Sequence, residues 1–355
     1  DGSYKQQDGF RYNARDLALV RAQQAGVPVI LGSATPSLES LYNCYSGRYQ
    51  LHTLKLRARS SQMPRIELVD LCNQKLQEGL SPKLLAAIDS HLQNQGQVLL
   101  FLNRRGFSPL LMCHDCGWTT SCHRCDAHMT YHKKRHQLHC HHCGSQRPAP
   151  NQCEDCGSSE VLAIGAGTER IEHFLQDYFP GTQVNRIDRD TTRNKGSLED
   201  KLAKAHSGES GILVGTQMLA KGHDFPNLTL VAILDTDQAL FSADFRASEH
   251  LAQLITQVSG RAGRAEKAGE VLIQTHHPEH PLLQTLLHKG YPAYAEVALQ
   301  ERRAAGLPPA RHLALLRCES VETGAAQTFL DQAMALASSV DTSQLDIYGP
   351  LPAPM

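Results

Sequence analysis

Apolar residues in this chain come as short uninterrupted runs separated by stretches of helical spacing. Val27-Pro28-Val29-Ile30-Leu31 reads as a strand that stops at the small residues Gly32-Ser33-Ala34-Thr35-Pro36, and Arg15 to Ala25 before it has helical periodicity. The order repeats from Ser81, with a helix to about Gln95, then Gly96 and the strand Val98-Leu99-Leu100-Phe101-Leu102. Further on, the pattern predicts a helix over Thr168 to Tyr178 and strands over Gly211 to Val214 and Leu228 to Leu234. A helix over Ser248 to Val258 and a strand over Gly269 to Thr275 follow. Helices alternating with continuous apolar strands imply an α/β fold, a parallel sheet covered on both faces. After Tyr291 the pattern changes to helix (Tyr294 to Ala305), strand (Leu313 to Cys318), helix (Ala325 to Ser338) and strand (Leu345 to Tyr348), the expected start of a small α+β domain.

One stretch breaks the alternation. Eight of the eleven cysteines form four Cys-x2-Cys pairs: Cys113/Cys116, Cys122/Cys125, Cys140/Cys143 and Cys153/Cys156. Long apolar runs are scarce there, so metal must replace a hydrophobic core. Eight thiolates suffice for two tetrahedral zinc sites. The 14 residues between the two inner pairs are close to zinc-ribbon length, which favours nested sites. Cys113, Cys116, Cys153 and Cys156 would hold one Zn2+, and Cys122, Cys125, Cys140 and Cys143 the other. An iron-sulfur cluster is the rival, less suited to this recurring paired spacing. His114, His123, His128, His132, His136, His139, His141 and His142 crowd the same region. With eight thiolates present they are expected to be solvated, although with Arg124, Lys133, Lys134 and Arg135 they could line a nucleic-acid or partner surface. Cys44, Cys72 and Cys318 stand alone and read as ordinary thiols.

Over 355 residues, 41% apolar composition is enough for about two domains, and a net charge of -1 leaves any nucleic-acid contact to local patches. No apolar run approaches the roughly 18 residues of a membrane helix and the first residues carry no signal-peptide pattern, so a cytoplasmic protein is expected. The chain starts without Met and ends in Gly349-Pro350-Leu351-Pro352-Ala353-Pro354-Met355, which reads as a fragment.

Gln257-Val258-Ser259-Gly260-Arg261-Ala262-Gly263-Arg264 follows a predicted helix and can aim two guanidinium groups at one anion. An arginine finger on a transferred γ-phosphate and a solvated basic turn both fit it. Its company decides. Gly32 to Pro36 resembles motif III of superfamily 2 helicases, Leu100-Phe101-Leu102-Asn103-Arg104-Arg105-Gly106 motif IV, and Gly165-Ala166-Gly167-Thr168-Glu169-Arg170 the DNA-side motif after it. Val214 to Pro226, with Thr216-Gln217 and Lys221-Gly222-His223-Asp224, resembles motif V, and Gln257 to Arg264 motif VI. Eight paired cysteines inserted after motif IV narrow the resemblance to the bacterial replication-restart branch of these helicases, over essentially the whole chain. Asp1 to Gln7 looks like the residues following that family's Asp-Glu-Glu-His motif.

The resemblance implies a RecA-like, P-loop NTPase-type helicase lobe. Residues 1–60 would end lobe 1, 61–111 and 158–290 would form lobe 2 around a zinc insert at 112–157, and 291–355 would begin a C-terminal domain. It implies coupling by Ser33, Ala34 and Thr35, nucleotide contacts from Gly222, Asp224 and Gln257, and Arg261 and Arg264 at the γ-phosphate. DNA would meet an aromatic-rich loop (Tyr4, Lys5, Phe10, Arg11, Tyr12), Asn103, Arg104, Arg105, Thr168 and Thr216. The implied activity is an ATP-dependent 3′ to 5′ DNA helicase that binds stalled forks and D-loops and starts primosome assembly, as a nucleoid-associated monomer. Forked and single-stranded DNA, single-stranded DNA-binding protein, PriB and DnaT would be its partners. Two departures matter: no Gly-x4-Gly-Lys-Ser/Thr and no Asp-Glu pair occurs, so ATP with Mg2+ would be held mainly by another lobe. Val231 to Asp237 mimics a Walker B strand but follows motif V, and its acids are expected at interlobe contacts. A zinc-dependent binding platform and a RecQ-type helicase are the competing readings; motifs V and VI argue against the first, and the zinc insert's place within lobe 2 against the second.

Overall fold

The computed structural model describes residues 4–6, 10, 12–54, 64–102, 110–125, 127–132, 135–140, 143–163, 168–187, 197–207, 211–216, 225–242, 244–262, 269–322, 324–339 and 345–350. Its first half contains α1 (Ala14–Ala25), α2 (Leu38–Tyr45), β1 (Arg65–Asp70), α3 (Pro82–Gln93), β2 (Gln97–Leu102), β3 (Leu111–Cys113), β4 (Thr130–His132), β5 (Gln137–His139), β6 (Gln146–Pro148) and β7 (Val161–Ala163). Then come α4 (Thr168–Tyr178), β8 (Val184–Ile187), α5 (Ser197–Ser207), β9 (Ile212–Gly215), β10 (Leu228–Leu234), α6 (Thr236–Leu240), α7 (Ala247–Ser259), β11 (Glu270–Thr275), α8 (Pro281–Ala304) and α9 (Ala325–Ala337).

Six strands make one parallel sheet in the order β1-β11-β10-β2-β9-β8. Every residue of β2 and β10 is buried, because helices cover both faces. Alternate residues serve opposite layers. Leu99, Phe101, Val231 and Ile233 meet α2, α5, α7 and α8 on one side, while Val98, Leu100, Leu102, Leu230 and Ala232 meet α3 and α4 on the other. Local chemistry sets the helix starts: the Ser81 side chain accepts from the Leu84 N–H with Pro82 in the first turn, and Ser37 caps α2 through the Ser40 N–H.

The cysteine-rich stretch leaves the sheet after β2 as a separate antiparallel body. β3 pairs with β7 where the chain departs and returns, and β4-β5-β6 form a three-stranded sheet between them. A small apolar cluster of Leu111, Met129, Leu138 and Ala149 packs with the buried thiols of Cys122 and Cys140.

The structure differs from the sequence reading at several places. Val27 to Thr35 forms no strand, and Ile30 is 94% exposed. Leu313 to Cys318 and Leu345 to Tyr348 form none either, with Leu315 88% and Tyr348 84% exposed, and α9 buries no residue. An apolar run predicts burial but not its partner, and no described strand lies beside these three. The helix expected at 294–305 is the second part of α8, entered through Gly290 at φ 79°. Its Tyr291, Tyr294, Ala295 and Ala298 lie in the same core as the sheet, so the α/β packing runs through the expected domain limit at 291. Leu38 and Leu41, expected in lobe 1, belong to that core too.

Candidate metal centre and motor face

The eight cysteines gather into two groups, Cys113 with Cys116, Cys153 and Cys156, and Cys122 with Cys125, Cys140 and Cys143, each with all four Sγ atoms within 4.8 Å of one another. Facing sulfurs lie 3.6 Å apart in the first group (Cys113 to Cys156, Cys116 to Cys153) and 3.5 Å in the second (Cys122 to Cys143, Cys125 to Cys140). A tetrahedron with Zn–S bonds of about 2.3 Å has edges of about 3.8 Å, so both groups fit zinc closely. The backbone supports the sulfurs: Arg124 N–H points at Cys122 Sγ, and Asp155 and Cys156 N–H at Cys153 Sγ, all at 3.4 Å. Burial acts to raise the Cys122 thiol, but the Arg124 N–H and the Cys143 thiol outweigh it and hold it at about 6. The first group sits beside the β3–β7 pair at the insert's neck, the second around β4 to β6.

The histidines are not uniformly solvated. His114 bonds through Nδ1 to His276 Nε2 (3.0 Å) and through Nε2 to the Gln74 carbonyl (2.7 Å). His128 is half-buried against the Phe241 ring, at 5.0 Å between centroids, and desolvation lowers its pKa. His123 and His136 are exposed, and His136 bonds the Tyr131 hydroxyl. His141, His142, Lys133 and Lys134 lie outside the described residues.

On the main body, one face of α7 carries Glu249, Gln253 and Gln257 at four-residue spacing, a polar stripe beside the helix's buried apolar face. This stripe holds the segment after the unpaired run. Gln257 Nε2 donates to the Thr35 hydroxyl at 2.8 Å, Gln253 Nε2 to the Thr35 carbonyl at 3.4 Å, and the Leu38 N–H donates to Glu249 at 3.0 Å. The Tyr291 hydroxyl donates to the Pro36 carbonyl at 2.7 Å, and burial pushes its pKa far above the usual phenol value. Thr35 is buried, Ser33 and Ala34 are exposed, and Ser33 Oγ accepts from the Thr35 N–H. Arg261 follows Gly260, the C-cap of α7, and is buried, with its N–H on the Val258 carbonyl. Thr216 is buried just beyond β9. Replacing Gln257 with alanine is expected to cost about 0.5–1.5 kcal/mol, the usual value of one part-buried hydrogen bond. Urea unfolding of Gln257→Ala, Thr35→Val and the double variant checks it: the effects should be less than additive.

At the start of the chain, Lys5 bridges to Asn13 and the Gln6 N–H donates to the Tyr12 carbonyl at 2.8 Å. Tyr4, Phe10 and Tyr12 are exposed, with the Phe10 and Tyr12 rings 6.4 Å apart. Arg11, Asn103, Arg104, Arg105, Gly222, Asp224 and Arg264 lie outside the described residues, and so does the side chain of Thr168, which opens α4. Asp237 departs from the interlobe expectation. It is buried and turned to its own body, accepting from the Thr275 hydroxyl, the His276 N–H (3.0 Å) and His276 Nδ1 (2.8 Å). Arg302, which no motif marked, forms a buried ion pair with Glu249 at 2.8 Å.

Comparison with known proteins converges on one group. Residues 122–148 match the PriA DNA helicase Cys-rich region (CRR) domain, and residues 156–266 the helicase conserved C-terminal domain. The chain is 52% identical over 354 residues to the replication restart protein PriA of Haemophilus influenzae, covering 100% of this chain and 48% of that protein. It is 40% identical over 359 residues to that of Bacillus subtilis (100% and 44%) and 41% identical over 327 residues to that of Chlamydia muridarum (90% and 43%). The chain thus spans about half the length of these curated relatives. None of its described helices is long and apolar enough to cross a membrane.

Proposed function

The chain belongs to the PriA family of replication restart proteins, and from that premise we propose that it forms the arginine-bearing lobe of an ATP-dependent DNA helicase. The helicase moves 3′ to 5′, binds stalled forks and D-loops, and begins primosome assembly. The observation that carries the reading is the stripe on α7. Gln257 is bonded to Thr35 of the motif III segment, and Arg261 follows about one helical turn later. A change at the nucleotide felt by Arg261 therefore reaches the segment 35–38 through one rigid helix. A pure binding platform has no use for that linkage.

In this reading ATP with Mg2+ sits mainly on another lobe, with Arg261 and Arg264 stabilising charge on the transferred phosphoryl group and Gly222 and Asp224 at the nucleotide. Thr216, Thr168, Asn103, Arg104, Arg105 and the aromatic-rich group of Tyr4, Lys5, Phe10, Arg11 and Tyr12 grip DNA, the aromatic rings by stacking. Two Zn2+ ions, one per four-cysteine group, supply structural cross-links. Single-stranded DNA-binding protein, PriB and DnaT are the proposed protein partners of a cytoplasmic, nucleoid-associated monomer.

The test uses the whole protein carrying Arg261→Ala. Fork-stimulated ATP hydrolysis should fall at least about tenfold while fork affinity stays within about twofold, because the lost group acts on transferring phosphate and not on DNA. Unchanged hydrolysis would remove Arg261 from the chemistry.

A further inference from the structure

The zinc insert and the parallel sheet meet at a seam that the helicase motifs do not use. On the sheet side it consists of the residues just beyond β11 and the short helix α6, at the C-terminal ends of β10 and β11. On the insert side it is the turn between Cys113 and Cys116. His276 stands in the middle: its Nδ1 faces Asp237 at 2.8 Å and its Nε2 faces His114 Nδ1 at 3.0 Å. His114 continues the chain of bonds to the Gln74 carbonyl at 2.7 Å. The seam is tight around this line. A Cβ on Gly117 would lie 3.2 Å from the His276 carbonyl oxygen and 3.2 Å from the His277 ring, and Cys72 donates to that same carbonyl at 3.4 Å. A second contact lies alongside, where Phe241 touches both His128 and His277 at 5.0 and 4.5 Å.

We infer that His276 is a positioning residue that seats the first four-cysteine site on lobe 2 through the line Asp237–His276–His114, so that the insert moves as one body with the motor. Asp237 is well placed for this, being buried and fixed by the Thr275 hydroxyl and the His276 N–H besides the ring. The ring orientation is therefore set from the sheet, and His114 hangs from it. His114 lies inside the Cys113-x2-Cys116 turn, so its anchorage limits how that turn can open and release a sulfur. The motor consequence rests on the helicase reading above; the seating of the metal site does not.

Two conservative replacements separate the halves of the line, because an asparagine amide reaches about where Nδ1 stood and a glutamine amide about where Nε2 stood. In the whole zinc-loaded protein, His276→Asn keeps the bond to Asp237 and loses His114, while His276→Gln keeps His114. Zinc transfer to a chromogenic chelator is followed ion by ion, alongside base pairs unwound per ATP hydrolysed. His276→Asn should release one of the two zinc ions about tenfold faster, leave the other unchanged and lower unwinding per ATP. His276→Gln should stay within about twofold of the original in both. An asparagine variant that matches the original, or a glutamine variant that loses zinc as fast as the asparagine one, overturns the inference. Zinc release that divides as expected in a protein that unwinds nothing would support the seat and reject the helicase reading.

Discussion

Replacing Cys140 with serine is expected to leave about one zinc ion per chain where the original holds about two, and to unfold β4 to β6 while the parallel sheet persists. Cys140 is fully buried in the inner group, and only a handful of apolar side chains surround it. Such a cluster cannot offset the conformational entropy of ordering three short strands, at about 1–2 kcal/mol per residue for the backbone alone. Metal supplies the difference: apparent binding energies at structural zinc sites run to about 10–16 kcal/mol. Serine removes a thiolate and returns a weak neutral ligand. The outer group is expected to survive, since its cysteines sit by the β3–β7 pair and on the seam with the parallel sheet. Cys153→Ser, by the same argument, should spare the inner ribbon and loosen the neck. Elemental analysis by mass spectrometry counts the metal, and hydrogen exchange read by peptide locates the loss. Loss of both ions from Cys140→Ser would show that the sites fold as one unit, and iron in the original protein would remove the zinc assignment.

The nested grouping of thiols was legible because Cys-x2-Cys spacing is a local geometric requirement of one metal ion, and the sheet's central strands were legible because burial on both faces demands an unbroken apolar run. Val98 to Leu102 and Leu228 to Leu234 carry that signal almost residue for residue. The edge strands did not. Arg65 to Asp70 and Val184 to Ile187 mix charge with apolar residues because each has one neighbour among the described strands and half-exposed side chains. The opposite error arose at Val27 to Leu31, where an apolar run carried no information about whether a partner strand lies beside it. The seam was hidden for a different reason. His114, Asp237 and His276 are remote in sequence, and a histidine among eight thiolates looks superfluous until the fold sets it 3.0 Å from a second histidine. The polar stripe Glu249-Gln253-Gln257 could have been found in advance, because the four-residue spacing of three long polar side chains places them on one face of a helix.

That stripe leads to the largest stability effect expected on the main body. Arg302→Met should destabilise the protein by about 3–5 kcal/mol, because it strands a carboxylate that is 4% exposed. Arg302 Nη2 donates to Glu249 at 2.8 Å and to the Phe245 carbonyl at 3.2 Å, Nη1 reaches the Pro308 carbonyl at 3.3 Å, and the guanidinium lies over the Phe245 ring at 5.0 Å. Methionine keeps the packing of the stem and removes all of these. Glu249 also receives the Leu38 N–H and Gln253, so its other contacts remain but its counter-charge is gone. Glu249→Gln in the same chain removes the stranded charge and should recover a large part of the loss, a coupling of about 0.5–3 kcal/mol between residues in direct contact. Denaturant unfolding of the four chains completes the cycle. If Arg302→Met costs less than about 1 kcal/mol, the pair is solvated in solution and α8 is not held to α7 by charge. If the full cost appears and the second substitution restores it, one carboxylate fixes both α8 and the Leu38 end of the segment 35–38. The same residue would then limit how far that segment can separate from the helix that carries Gln257.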